Sequence, residues 1–244
     1  MSESIRILHL VPSVLSQNGE IGNIMVLTHR AKLRGLGVEV FSQEAGDEFP
    51  FDIDIVFIGS GPTSAQIVAQ PAVIAVATEL RELAEAGVPF LAIAAGFQLL
   101  GESVTLADGT VLAGAGVFPV TSTVGGTRIV GDFVVESRLG TLVGFENRGS
   151  SVEIGEAAPI GTVVYGQGNT PSSGVEGYWV GNLVGTHLHG PVLANNPSLA
   201  DWLLTAALER RGAVYPTAPV SELEEIDRYA AEARRVIAAA PHSE

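Results

Sequence analysis

Apolar positions in the first hundred residues fall into short unbroken runs, separated by stretches in which they recur every three to four residues. Ile5 to Val11 is such a run, ending at Pro12-Ser13, and reads as a strand buried on both faces. From Ile21 to Arg34 the residues Ile21, Ile24, Met25, Leu27, Ala31 and Leu33 follow a helical period that Gly35 and Gly37 stop. Val38 to Phe41 and Ile53 to Ile58 read as the second and third strands. The third runs into Gly59-Ser60-Gly61-Pro62, a turn that leaves backbone amides free to face a ligand. Pro71 to Ala86 is rich in helix formers and closes at Gly87, and Pro89 to Ile93 is a fourth strand entering Ala94-Ala95-Gly96.

This alternation, without two-residue hairpin turns in that half, predicts an α/β fold: a central, mostly parallel sheet flanked by helices, with ligands at the strands' carboxyl ends. From Val117 to Val184 the texture changes to β-branched runs between glycines: Arg128 to Val135, Leu142 to Glu146, Val163 to Tyr165 and Tyr178 to Val184. A mixed or antiparallel β extension is expected there. Leu199 to Arg211 is helical by period. Glu222 to Ala239 is an amphipathic helix with Leu223, Ile226, Ala230, Ala233 and Ile237 on the face expected to pack on the sheet. With 244 residues, 46% of them hydrophobic, the chain is expected to form a single domain over residues 1–244.

A formal charge of −14 with no cluster of Lys and Arg argues against nucleic acid or an anionic lipid surface as partner. No basic-then-apolar signal opens the chain and no apolar run approaches the ~20 residues of a transmembrane segment, so a cytoplasmic location is expected. The absence of cysteine removes disulfides, thiolate metal sites and any cysteine nucleophile. His9, His29, His187, His189 and His242 show no metal-type spacing with carboxylates, and no metal site is expected.

The chemistry concentrates in Leu91 to Gly101, a strand entering a tight small-residue turn and leaving as a helix. The tip of such an elbow, Ala94, stands at a helix N-terminus, where amides and the helix dipole favour a thiolate or an oxyanion. Alone, a strand followed by Ala-Ala-Gly is an ordinary strand-to-helix connection. A second element, Gly185-Thr186-His187-Leu188-His189-Gly190-Pro191, presents a histidine at the end of an apolar strand; imidazole titrates near neutrality and can take and return a proton. Together these elements resemble the class I (triad-type) glutamine amidotransferases, which have a flavodoxin-like fold. Ala94 to Gln98 match that family's elbow of cysteine, small residue, glycine, variable residue and glutamine at every position but the first.

By this resemblance Ala94 occupies the position of the nucleophilic cysteine, His189 is the general base, and His187 is assigned a structural hydrogen-bonding role. The amides of Ser60 and Ala95 would form the oxyanion hole. The family usually places a glutamate two residues after the histidine; here that residue is Pro191. This departure resembles the glutaminase subunits of lipid II isoglutaminyl synthases, in which the acid is supplied by the partner ligase or dispensed with, and Glu146 is the intrachain candidate. Glu20-Ile21-Gly22-Asn23-Ile24, Gly125-Gly126-Thr127-Arg128 and Gly144 to Gly149 strengthen the resemblance, which runs from about Ile5 to Leu204. It implies that Arg128 binds the substrate glutamine, a role suited to a guanidinium fork facing an α-carboxylate. Gln98 is either a second substrate contact or a packing residue.

The implied activity is hydrolysis of glutamine, with the ammonia passed to a MurT-type, Mur-ligase-like partner that amidates the D-glutamate of lipid II. No cofactor is expected in this subunit. The chain has no Gly-rich phosphate loop of the P-loop type, so ATP and Mg are expected in the partner ligase. Alanine is no nucleophile, so the chain as written is expected to be inactive, either because a cysteine has been replaced or because the chain only binds or regulates its ligase. A cobyric-acid-type amidotransferase is the alternative enzyme reading, and a flavodoxin-like binding module the non-catalytic one.

Overall fold

The computed structural model describes residues 4–240; His242 lies outside them. β1 (Ser4–Leu10), α1 (Ile21–Leu33) and β2 (Gly37–Gln43) make the first strand–helix–strand unit. β3 (Ile55–Ile58), α2 (Thr63–Ala75), α3 (Ala77–Glu85) and β4 (Phe90–Ile93) make the second, and α4 (Ala95–Leu99) leaves directly from β4. Then come β5 (Ser103–Thr105), β6 (Val111–Ala113), β7 (Thr121–Ser137), β8 (Gly140–Glu153), β9 (Gly161–Tyr165) and β10 (Val175–Glu176). The chain returns through the hairpin β11 (Tyr178–Val180) and β12 (Leu183–Thr186) before α5 (Val192–Asn195), α6 (Pro197–Arg210) and α7 (Ser221–Ala239).

The first sheet has the order β11-β12-β4-β3-β1-β2, with every pairing parallel except that of β11 with β12. The chain winds one way from β1 to β2 and the other way from β3 to β4 and β12, so strand carboxyl ends meet at a crevice on one edge. Helices cover both faces, and the unbroken apolar runs follow from that: Ile7, Phe57 and Leu91 enter one core with α1 and α6, while Leu8, Val56 and Phe90 enter the other with α2 and α3.

The second sheet is the expected mixed extension. The long β7 pairs antiparallel with β8 along one edge, while β5 (parallel) and β9 (antiparallel) share its other edge. The β7–β8 register shifts between Val124 and Ile129, just before and after the Gly125-Gly126 pair. Short β5 and β6 carry no alternation long enough to announce them.

Two expected elements differ. The helix expected at Pro71 to Ala86 begins instead at Thr63, carries Pro71 inside it, and breaks at Val76 before α3. Proline favours a first helical position, which made Pro71 look like a start; Val76 leaves helical geometry (φ −114°) and buries its side chain. The apolar run Tyr178 to Val184 is two antiparallel strands, because Gly181, at φ 56°, opens a two-residue turn with Asn182. α7 packs as its pattern predicts, with Leu223 and Ala230 buried. It is tied to the body by Arg30 of α1, whose buried guanidinium bonds Asp201 of α6 (2.6 and 2.9 Å) and Asp227 of α7 (2.6 and 3.2 Å).

Candidate active site

β4 ends at Ile93 and the chain turns through Ala94, whose φ of 43° and ψ of −104° lie where a residue with a Cβ is rarely found. Such a conformation costs roughly 1–3 kcal/mol and persists only where the surroundings impose it. Here Ala94 N–H donates to Thr186 O at the end of β12 (2.8 Å), and Gly96 N–H donates to Gly59 O beyond β3 (3.1 Å). A Cβ on Gly96 would lie 2.5 Å from Gly59 O and 2.8 Å from the Ile58 side chain, so glycine is what lets α4 start this close to β3. Ala94 therefore puts a methyl group at the tip of an elbow. Ala95 follows in the first helical position, where an amide has no intrahelical acceptor.

Ala94 opens onto a cavity of about 300 Å³ whose wall includes Ser60, Ala95, Gln98, Arg128, Asn147 and Ser150. Five of the residues singled out in the sequence, Ser60, Ala94, Ala95, Gln98 and Arg128, thus meet at one cavity although they come from three separate segments. The exposed Arg128 donates from Nη2 to Asn147 Oδ1 (2.7 Å), and Asn147 Nδ2 donates to Asn18 Oδ1 (3.1 Å). Gln98 is engaged at both ends of its amide, accepting from Gln66 Nε2 (2.8 Å) and donating to Ser150 Oγ (2.8 Å), so it braces the wall. The neighbouring Arg148 is buried against Glu146 and the carbonyls of Ser150 and Gly168.

His189 is fully buried and is not among the residues that line this cavity. Paired backbone bonds with Phe145 (3.0 and 3.2 Å) clamp it onto β8, and its ring tilts against that of Phe145. Nδ1 is 2.8 Å from Glu20 Oε1, while Nε2 has no hydrogen-bond partner. Glu20, also fully buried, reaches inward because the chain reverses just before it, with Asn18 and Gly19 both at positive φ. Gly59 makes room, since a Cβ there would stand 2.9 Å from that of Glu20. Burial pushes the Glu20 carboxyl above the usual range; hydrogen bonds from His189 and Asn23 oppose the shift without cancelling it.

Glu20 corrects the expectation about the acid beside His189. Glu146, the intrachain candidate, does not occupy that place. Glu146 follows Phe145 on β8 and so faces the other way, where it accepts from Arg148 Nη2 (2.9 Å), Gln167 N–H (2.8 Å) and Gly168 N–H (3.2 Å). The sequence held one signal for Glu20: a carboxylate immediately before a helix with an amide three residues later, a spacing that brings Asn23 Nδ2 to within 2.9 Å of Glu20 Oε2. His187, two residues before His189, has its own buried partner in Glu176 (3.1 Å from Nδ1). Among the described residues no cluster of three or more His, Asp and Glu is placed to hold a metal ion, and no helix is long and apolar enough to cross a membrane.

An elbow after a central parallel strand, with a buried histidine at the end of the next strand, is an amidotransferase arrangement, and the chain belongs to the CobB/CobQ-like glutamine amidotransferase family, whose domain matches residues 6–197. Within that family it is 37% identical over 224 residues to the lipid II isoglutaminyl synthase (glutamine-hydrolyzing) subunit GatD of Staphylococcus aureus strain N315, covering 91% of this chain and 92% of that protein. It is 32% identical to the protein of the same name from Streptococcus pneumoniae strain ATCC BAA-255 / R6, covering 85% of this chain and 82% of the relative. Solved structures share the fold at lower identity. One is a glutamine amidotransferase (TM-score 0.58, 16% identity, covering 82% of this chain and 98% of that one). Another is the glutaminase domain of Trypanosoma brucei CTPS with bound acivicin (TM-score 0.55, 12% identity, covering 84% and 94%).

Proposed function

We propose that this chain is the glutamine-hydrolysing half of a lipid II isoglutaminyl synthase, silent as written because a methyl group stands where the nucleophile belongs. The observation that carries the reading is the elbow itself: Ala94 is held at a strained backbone angle at the N-terminus of α4, facing a cavity that holds a cation, Arg128. Near-full-length similarity to two GatD subunits supports the choice of substrate and pathway.

With a thiolate at position 94, attack on the side-chain amide carbon of glutamine forms a tetrahedral intermediate whose oxygen faces the amides of Ser60 and Ala95. His189 passes the thiol proton to the departing nitrogen, which leaves as ammonia. Water, deprotonated by the same imidazole, then splits the thioester and restores the thiol, giving glutamate. Arg128 holds the α-carboxylate; Gln98 keeps the wall in shape. ATP and Mg belong to a MurT-type ligase subunit that uses the ammonia to convert the lipid II D-glutamate to D-isoglutamine.

The test is ammonia release from glutamine by the chain and by Ala94→Cys, each with and without the ligase. Activity in the cysteine variant alone is the expected result. No release under any condition, together with no glutamine binding by calorimetry, would sink the reading and leave a non-catalytic module.

A further inference from the structure

The geometry points to Glu20 as the positioning residue of His189, so that this chain supplies from its own first helix the carboxylate that orients its base. The assignment rests on the reading above, in which His189 is that base.

Two hydrogen bonds fix how Asn23 and Glu20 are turned, and the third then runs from His189 to the ionised carboxylate. Leu193 N–H can only donate, and it donates to Asn23 Oδ1 (3.0 Å), so the other end of that amide, Nδ2, must face Glu20, to whose Oε2 it donates (2.9 Å). As a carboxylate Glu20 can only accept, and its Oε1 lies 2.8 Å from His189 Nδ1, which then donates. An imidazole that donates from Nδ1 has its lone pair on Nε2, the atom that must accept a thiol proton, and Nε2 is the ring atom without a partner. Pro191, at the position where a family acid usually stands, braces the arrangement. It packs onto Gly22 in the first turn of α1 so closely that a Cβ on Gly22 would lie 2.5 Å from its Cγ. Glycine there lets the His189–Pro191 loop seat against the helix whose N-cap is Glu20.

Imidazole ¹⁵N spectra of the full chain as it exists, with Ala94, test the assignment without any catalysis. At neutral pH His189 is expected to carry its proton on Nδ1. In Glu20→Gln the new oxygen must turn to Asn23 Nδ2, which can only donate, and the new NH₂ then faces His189 Nδ1, which moves the ring proton to Nε2. Glu20→Asp should keep the parental tautomer. In an Ala94→Cys background, Glu20→Gln is expected to lower kcat for glutamine hydrolysis by ~10²–10⁴-fold with KM within about threefold, and Glu20→Asp to recover part of the loss. A parental His189 already protonated on Nε2 would overturn the assignment, and this reading needs no variant to fold. So would a Glu20→Gln chain with unchanged tautomer and kcat within about threefold. If the cysteine chain proves inactive while the tautomer swaps as expected, the glutaminase reading fails and the positioning role of Glu20 stands.

Discussion

Two buried histidine–glutamate pairs lie two residues apart just beyond β12, one reaching back to the residue before α1 and the other to β10 of the second sheet. Both put Nδ1 against a carboxylate, His189 on Glu20 and His187 on Glu176, and both leave Nε2 without a partner. The carboxylates differ. Glu20 has two donors, and burial dominates, raising it. Burial opposes ionisation of Glu176 too, but the ring and amide of His187 and the charge of Arg148 outweigh it and hold this carboxyl below its ordinary value, while Thr186 Oγ1 donates to it at 2.8 Å. His187, lowered by burial, packs edge-on against Phe97 inside the protein. The Glu176 carboxylate, held by three donors, ties the strand end to β10; the Glu20 carboxylate, held by two, faces only the His189 ring and the Asn23 amide.

Exchanging the histidines should separate these roles most sharply. In the Ala94→Cys chain, His189→Asn is expected to lower glutamine turnover by ~10²–10⁴-fold while urea midpoints stay near the parent's, whereas His187→Asn should shift the midpoint and leave most turnover in the fraction that folds. Equal loss of turnover from both would break the distinction. Removing a carboxylate should act on stability in the same sense: Glu176→Ala strips acceptors from three buried donors and is expected to cost about 3–5 kcal/mol in urea unfolding, clearly more than Glu20→Gln. A third buried histidine, His9, supplies the contrast of a ring without a carboxylate clasp. Burial lowers its pKa to about 4 from 6.5, against a smaller pull from Glu44. Because the folded value lies below the unfolded one, its contribution is intact above pH 6.5 and lost as the pH falls towards 4, ~3 kcal/mol in all. Urea titrations at pH 7 and 4 should show that share of acid loss vanish in His9→Phe.

The parallel strands were legible because burial on both faces leaves unbroken apolar runs, and the elbow only in combination with the histidine segment, since a strand followed by Ala-Ala-Gly is by itself an ordinary connection. Arg128 and Ser60 could be placed only through that match; nothing in their local pattern distinguishes a cavity arginine from a solvated one. Gly181 hid inside an apolar run because its turn needs only two residues. The signal at Glu20 was too weak to give it a role, for another reason. Its meaning depends on a partner 169 positions away in the chain, and a carboxylate before a helix looks like an ordinary favourable charge at a helix start.

That separation also sets when the site can exist during synthesis. The acid leaves the ribosome 169 residues ahead of the histidine, which follows β12, so a nascent protein holds only half of the pair over that stretch. A fragment that extends past Ser150 but ends before β12 would contain the elbow, the residues of the cavity wall and Glu20, without His189. With His189 as the base, order of assembly alone leaves the elbow without its proton carrier until β12 has been made.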